Sequence, residues 1–373
     1  MKINLVMIVK DEERSLKRCL LAARPFVDEM IVVDTGSTDD TKKIAREAGA
    51  KVYDFVWVRD FSAARNYALG KSDADWNLVL DADEYLRPFS RKQLEEVLGK
   101  GDRRYGLNGW MGAVLRFDSY RDAVDESREG VGEAELCVHS ALLPRVLPGF
   151  VRYRGRIHEQ PDCELPCMLL PLEADHDGYL VEGKSERNLT YLREAVAEEP
   201  ENSYYWYQMA VTLRELKQWE ESLIWFRRLW KAGADAAESY RTDGILRYLY
   251  TLMDLGTSGY LEEAKDVIDT ARPFLENRSD FCFVCGLFYM KLVLSDVARY
   301  LSYLPRIEAS YLACLEIGEH PEAETVAGTG SFKAAYNLGV WYELSGRPLE
   351  AKRYYGQAAG DGYKPAEERL KNL

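Results

Sequence analysis

The sequence predicts an α/β domain built on a mostly parallel sheet, followed by an all-α repeat solenoid. Three observations carry that prediction. Short apolar runs in the first half of the chain each end in charge, helical spacing separates them, and after Tyr179 strand signals give way to recurring Tyr, Trp, Leu and Ala.

The runs are Ile3 to Val9, Met30 to Val33 and Trp76 to Leu80, each too short for a helix. They end in Lys10-Asp11-Glu12, Asp34 and Asp81. Glu12 to Pro25 reads as a helix with apolar Leu16, Cys19, Leu20 and Ala23 on one face. Asp39 to Ala48 reads as a second helix, capped by Ser37, Asp39 or Asp40 and closed by Gly49. Strand, helix, strand, helix implies parallel strands with right-handed crossovers, whose ligand crevice lies beyond the strands' carboxyl ends. Asp34 then shares a crevice with Val9, Lys10 and Asp81.

Asp81-Ala82-Asp83-Glu84 places two carboxylates one residue apart at a strand end. A hard cation such as Mg²⁺ or Mn²⁺, bound between them and a diphosphate, would hold both ionised. The competing reading is a solvated acidic turn. The segment Asp60-Phe61-Ser62-Ala63-Ala64-Arg65-Asn66 adds a short helix that Ser62 can cap, with Arg65 as a fixed cation for phosphate oxygens.

This ordered set, Val9-Lys10-Asp11-Glu12, Asp34-Thr35-Gly36-Ser37-Thr38-Asp39, Asp60 with Ala64-Arg65-Asn66, and Asp81-Ala82-Asp83-Glu84, resembles the family-2 glycosyltransferases of GT-A fold. The resemblance covers about the first half of the chain. It implies sugar transfer from a nucleoside diphosphate donor with inversion at the anomeric carbon. It also implies that Asp34 binds the base, that the backbone near Val9 and the side chain of Glu12 flank the nucleoside, and that Arg65 lies near the diphosphate. Asp81 would touch the ribose or sugar, and Asp83 the metal. The implied nucleotide-sugar site thus comprises Val9, Lys10, Glu12, Asp34, Gly36, Ser37, Asp60, Arg65, Asp81 and Ala82. UDP, with glucose, N-acetylglucosamine or galactose, is the family's usual donor.

The stretch from about Leu107 to Tyr179 has mixed strand character and carries three of the four histidines. An inverting transfer needs one base to take the acceptor proton. Glu159, in Ile157-His158-Glu159-Gln160, is the candidate, with organiser of the metal shell as its competing role. Family members that carry His-Glu here also carry a later His-x-Gly-Tyr followed by Lys and Arg-Asn, matched by His176, Gly178, Tyr179, Lys184, Arg187 and Asn188. By that resemblance His176, in preference to His158, completes the metal shell, and Lys184 and Arg187 close over the diphosphate. His139 and His320 have no motif around them. The absence of the commoner Glu-Asp pair leaves the acceptor open. A thiol acceptor would lose its proton at a pKa near about 8.5, so a weaker base would suffice.

From about residue 190 a tetratricopeptide template of about 34 residues fits the chain. Ala335, Leu338-Gly339, Tyr342, Ala351, Tyr355 and Ala358 match it well. Trp206, Met209-Ala210, Leu213, Ser222 and Phe226 match less well, and Tyr248, Leu252, Leu255, Ala264 and Ala271 in part. Residues 273–330 are irregular, with Gly328-Thr329-Gly330 a loop. The cluster Tyr204, Tyr205, Trp206, Tyr207, Trp219, Trp225 and Trp230 reads first as inter-helix core and second as a peptide-binding face. A catalytic domain of residues 1–189 fused to repeats of residues 190–373 resembles bacterial glycosyltransferases that modify ribosomally made peptides, the sublancin-type S-glycosyltransferases among them. In that group the repeats are associated with dimerisation and acceptor binding.

Composition agrees. The chain has 373 residues, enough for two cores, and its net charge of −13 disfavours nucleic acid or an anionic membrane as partner. No stretch approaches the roughly 20 apolar residues of a membrane span, and the chain opens on a strand instead of a signal peptide, so a cytoplasmic enzyme is expected. Seven cysteines suggest reduced thiols, with Cys282 and Cys285 one turn apart on an aromatic helix and Cys163 and Cys167 in a loop. The expectation is a metal-dependent, homodimeric transferase acting on a Cys or Ser/Thr side chain of a peptide or protein. The alternatives are sugar transfer to a lipid or lipopolysaccharide core, and a repeat scaffold carrying an inactive sugar-nucleotide fold.

Overall fold

The computed structural model describes residues 1–100, 111–121, 136–177, 184–233, 239–320 and 325–373. Gly178 and Tyr179, and the side chains of His139 and Lys184, lie outside the described residues. The chain divides into two compact units, Met1–Ala195 and Val196–Leu373. The boundary expected at 189/190 falls inside one continuous helix, Lys184–Glu198.

The first unit runs β1 (Ile3–Val9), α1 (Leu16–Ala23), β2 (Glu29–Asp34), α2 (Thr41–Glu47), β3 (Lys51–Asp54), α3 (Phe61–Leu69), β4 (Trp76–Val79), β5 (Glu84–Leu86) and α4 (Arg91–Lys100). It continues with β6 (Met111–Arg121), β7 (Leu136–Pro148), β8 (Tyr153–Arg154), β9 (Gln160–Pro161), β10 (Cys167–His176) and α5 (Lys184–Glu198). Its main sheet has the order β3-β2-β1-β4-β7-β6-β10-β5, and β8 pairs β9 separately. The β3-β2-β1-β4 half is wholly parallel. β7 joins β4 antiparallel, and β10 returns antiparallel to β5.

The strand alternation explains the layering. Leu5, Met7, Val9, Val32 and Leu78 face one core with α1 and with Leu94 and Leu98 of α4. Val6, Ile31, Val33 and Val79 face the other with Ala68 and Leu69 of α3. The apolar face Leu16, Cys19, Leu20 and Ala23 is buried as its spacing predicts, but α1 is shorter than Glu12 to Pro25. Ser15 Oγ donates to Glu12 Oε2 at 2.7 Å, so residues 12–15 form a turn ahead of the helix. Likewise α2 covers less than Asp39 to Ala48, because Asp39 is used in a turn, accepting the Thr41 N–H at 2.9 Å.

The second unit is helical: α6 (Ser203–Glu215), α7 (Trp219–Lys231), α8 (Ser239–Leu255), α9 (Ser258–Leu275), α10 (Ser279–Ser295), α11 (Val297–Tyr300), α12 (Leu304–Ile317), α13 (Phe332–Leu344), α14 (Pro348–Gly360) and α15 (Lys364–Asn372). α6 packs on α7, α8 on α9, α10 on α12 and α13 on α14. The stretch expected to be irregular, 273–330, is instead largely α10 and α12. α10 is buried nearly all round, so no polar stripe reveals a helical period there. Small residues set the closest approaches. A Cβ on Gly339 would stand 2.7 Å from Tyr355 Cδ1, and one on Gly286 2.6 Å from Tyr311 Cε1. Tyr205 and Trp206 are core, while Tyr207, Trp225 and Trp230 pack half-buried against it. Among the described residues no helix is long and apolar enough to cross a membrane.

Candidate active site

Parallel pairing aligns the strand ends first. Val9 is opposite Asp34, and Val79 is opposite Val6, so Asp34 and the Asp81 turn emerge at the same edge. Asp34 is 1 % exposed. Its Oδ1 accepts the backbone N–H groups of Gly36 and Ser37, both at 3.0 Å, in a turn that Gly36 allows at φ 111°. Its Oδ2 is buried and has no partner. Val9 is buried and its carbonyl accepts the N–H and hydroxyl of Thr35 at 2.9 and 3.1 Å. Lys10 is exposed, Ser37 Oγ accepts the Asp11 N–H at 2.9 Å, and the Glu12 N–H donates to Thr41 Oγ1 at 2.7 Å.

Asp60, not Ser62, caps α3. Asp60 Oδ1 accepts the Ala63 N–H at 3.0 Å and the Ser62 hydroxyl at 2.8 Å, because only Asp60 has the extended backbone of a cap. The Asn66 amide clamps the loop opposite: its Nδ2 donates to the Tyr153 carbonyl and its Oδ1 accepts the Tyr153 N–H, both at 2.8 Å. The Phe61 N–H donates to the Arg156 carbonyl at 2.9 Å. These bonds bring the Gly155 to Gln160 segment against α3, and with it Glu159.

Arg65 is buried between two carboxylates. Its Nε donates to Glu159 Oε1, and its Nη2 to Asp81 Oδ1 at 2.6 Å. Its Nη1 is buried without a partner. Arg145 of β7 donates through Nη2 to Asp81 Oδ2 at 2.8 Å and to Glu84 Oε1. Arg116 of β6 donates to the same Glu84 oxygen at 2.7 Å. The result is one run of alternating charge, Glu159, Arg65, Asp81, Arg145, Glu84, Arg116, largely buried except at Asp81. Burial alone would push the Asp81 carboxyl up, but Arg65 and Arg145 override it and hold it well below the usual carboxylate range. Glu84 Oε2 accepts the Asp81 N–H at 3.1 Å and fixes the acidic turn.

Ala82 and Asp83 are buried within that turn. Antiparallel pairing sets His176 opposite Glu84, which carries its ring to Asp83: Nε2 lies 3.5 Å from Asp83 Oδ1. Among the described residues no set of three or more His, Cys, Asp and Glu is arranged to hold an ion, so the candidate metal ligands are this pair. His158 adopts φ 51°, its Nε2 is buried without a partner, and burial pulls its pKa down to about 4. Arg187 is exposed on α5 and donates to Asn188 Oδ1 at 3.3 Å. One turn on, Tyr191 takes a hydrogen bond from Trp57 Nε1 at 3.3 Å.

Sequence reading missed Arg116, Arg145 and the clamp made by Asn66. The available signal was a lone Arg inside each of two apolar runs, Val114-Leu115-Arg116-Phe117 and Leu143-Pro144-Arg145-Val146-Leu147, since a buried guanidinium demands carboxylates.

Residues 5–104 match the family model described as glycosyl transferase family 2. This segment is a glycosyl transferase family 2 domain. The chain is 26 % identical over 233 residues to the SPbeta prophage-derived glycosyltransferase SunS of Bacillus subtilis, covering 60 % of this chain and 51 % of that protein. It is 36 % identical over 96 residues to an uncharacterized glycosyltransferase of Rickettsia typhi, 26 % of this chain and 32 % of that one. It is 55 % identical over 85 residues to a TPR repeat-containing protein of Synechococcus elongatus, 23 % of this chain and 21 % of that one. The chain thus spans about half or less of the length of these relatives. Among solved structures, MamA from Desulfovibrio magneticus aligns at TM-score 0.38 and 16 % identity, covering 48 % of this chain and 87 % of that one. Glucosyl-3-phosphoglycerate synthase from Mycobacterium tuberculosis, in complex with Mn²⁺, uridine diphosphate and glucosyl-3-phosphoglycerate, aligns at 0.24 and 27 %, covering 32 % and 44 %. The family-2 domain therefore includes Asp34, Arg65, Asp81 and Asp83, while Glu159 and His176 lie beyond it in the same unit.

Proposed function

We propose that this chain is a divalent-metal-dependent, inverting glycosyltransferase that moves a sugar from a nucleoside-diphosphate sugar, a UDP-sugar first, to a Cys, Ser or Thr side chain of a peptide or protein. The observation that carries this reading is the Arg65 guanidinium held between Asp81, on the donor turn, and Glu159. One buried cation thereby sets a candidate base beside a candidate donor carboxylate.

Asp34, whose buried Oδ2 has no hydrogen-bond partner, suits the donor groups of a base, and Asp81 a sugar or ribose hydroxyl. The run of charge is balanced, three carboxylates against three guanidiniums, so it offers no surplus positive charge to a diphosphate. Asp83 and His176, a carboxylate and an imidazole 3.5 Å apart, would hold a divalent cation. Carboxylate with imidazole favours Mn²⁺ over Mg²⁺. When bound, the ion neutralises charge on the departing diphosphate. Glu159 takes the acceptor proton as the acceptor atom bonds the anomeric carbon, and the bond to the diphosphate oxygen breaks with its electron pair. Arg65 orients Glu159, and the diphosphate is assigned to Lys184 and Arg187 on the family resemblance.

The repeat unit is assigned acceptor binding and self-association, on its helical pairs, since stacked pairs of this kind present extended binding surfaces. Cysteines without disulfides among the described residues suit the cytoplasm.

The test is thermal stabilisation by a panel of nucleoside diphosphates and their sugars, with and without Mn²⁺, followed by mass measurement of peptides containing Cys, Ser and Thr. A nucleotide shift that requires metal, then a hexose mass added to peptide, is the expected result. Absence of any shift overturns the reading.

A further inference from the structure

The Asp81 carboxylate is gripped from two sides. Arg65 of α3 holds Oδ1 at 2.6 Å and Arg145 of β7 holds Oδ2 at 2.8 Å, so neither oxygen can rotate away without breaking an ion pair. Arg145 reaches there because β7 runs antiparallel beside β4, with Val146 opposite Leu78, which leaves residue 145 next to the strand end that leads into Asp81. The Arg145 side chain is 12 % exposed and its guanidinium also grips Glu84, whose side chain is 1 % exposed, so the arginine is anchored from behind. Glu84 in turn holds the Asp81 N–H at 3.1 Å and is shared with Arg116. Both the backbone and the carboxylate of Asp81 are thus fixed by one assembly to which β7 contributes Arg145. The Asp81 side chain keeps 36 % exposure, so a fixed carboxylate still meets the crevice.

We propose that Arg145 is a positioning residue for the donor: acting through Asp81, and without touching the donor itself, it sets the affinity for the nucleoside-diphosphate sugar. This rests on the reading of Asp81 as a donor contact given above. A preset carboxylate accepts a hydroxyl without reorganising, whereas a free one must first be ordered. Arg145 is placed to supply that order at the domain's crevice: its Nη2 donates to both carboxylates, while its Nε is buried without a partner.

The experiment measures the affinity of the full chain, with Mn²⁺, for whichever of UDP-, GDP-, ADP-, CDP- or dTDP-glucose binds the unaltered protein most tightly. Arg145→Met, Arg145→Lys, Asp81→Asn and the Arg145→Met/Asp81→Asn pair are compared. Arg145→Met should weaken binding about tenfold or more, within the range of coupling between groups in one ion-pair network. Arg145→Lys should recover part of that loss, because a cation still faces Oδ2. In the pair, Arg145→Met should add nothing to Asp81→Asn, since the residue it acts through is already altered. Losses that multiply, or an Arg145→Met affinity within about twofold of the unaltered chain, overturn the inference. Should Arg145→Met leave Glu84 too poorly compensated to fold, Glu84→Gln/Arg145→Met removes the stranded charge and is judged the same way. Failure of the unaltered chain to bind any member of the panel overturns the functional reading and this inference together; normal binding with an indifferent Arg145→Met overturns only the latter.

Discussion

Replacing Glu159 with glutamine separates proton transfer from everything else this side chain does. One Glu159 oxygen accepts from Arg65 Nε, and the side chain is 10 % exposed. Glutamine keeps an acceptor oxygen of the same reach, so the Arg65 contact survives as a bond from the guanidinium to a neutral amide oxygen. Exchanging an ion pair for such a bond costs on the order of 1 kcal/mol. Arg65 retains Asp81 as counter-ion at 2.6 Å, so it is not left as an uncompensated buried charge. The melting midpoint should therefore fall by only about 2–4 °C, and donor affinity should stay within about twofold. Transfer is another matter: a positioned general base contributes about 10²–10⁴-fold, roughly 3–5 kcal/mol of barrier. Initial rates on a pool of peptides containing Cys, Ser and Thr, read by mass, measure that loss. If the acceptor is a thiol, the variant's rate should climb as pH rises toward about 8.5, because the acceptor then ionises unaided. A rate within about threefold of the unaltered protein at neutral pH would refute the assignment of the base, since every general-base estimate exceeds that.

Four further outcomes are expected. Asp83→Asn should abolish the Mn²⁺-dependent part of nucleotide stabilisation while the metal-free melting curve barely moves; an undiminished metal response reassigns the ion. Chelation of the unaltered protein with EDTA should give the same loss, reversed by added Mn²⁺. Gly339→Ala should destabilise the repeat unit by about 1–3 kcal/mol, because the new Cβ meets the Tyr355 ring at 2.7 Å while that tyrosine donates to Glu343 at 2.6 Å and is fully buried. Chemical denaturation reads it, and equal or greater stability means the ring yields. His158, neutral when folded with a pKa near about 4 against an ordinary value near about 6.5, binds its proton more readily unfolded. Its contribution to stability is present above about 6.5 and lost as pH falls through that window. His158→Asn tolerates the positive φ and should flatten the slope of melting midpoint against pH between those limits; an unchanged slope assigns the pH dependence elsewhere.

How legible this molecule was depends on where each constraint resides. β1, β2 and β4 announce themselves because buried parallel strands are continuous apolar runs, and the α1 face appears because only one side of that helix is covered. α10 shows only as one aromatic turn around Cys282 and Cys285, for the converse reason: Phe281 through Gly286 are all buried, and a helix wetted on no side has no period to read. Helix ends blur where carboxylates prefer turns, as Asp39 and Asp60 do.

The site divides along the same line. Asp34 and Asp81 are tied to strand ends by local sequence, so their shared edge follows from parallel pairing alone. The approach of Asp83 to His176, 93 positions later, depends instead on β10 returning antiparallel beside β5, which the residues of neither strand dictate. Arg145 shows the limit most clearly. Its place among Leu143, Pro144, Val146 and Leu147 declares that a guanidinium must be buried and must find carboxylates. Which carboxylates it finds is decided by the β4–β7 register, and a slip of one residue would turn it to the opposite face of the sheet, away from Asp81 and Glu84. The chain therefore states the demand locally and satisfies it through topology. That is why a residue with no motif around it stands at the centre of the ion network, while motif residues such as Asp60 and Asn66 serve as a helix cap and a backbone clamp.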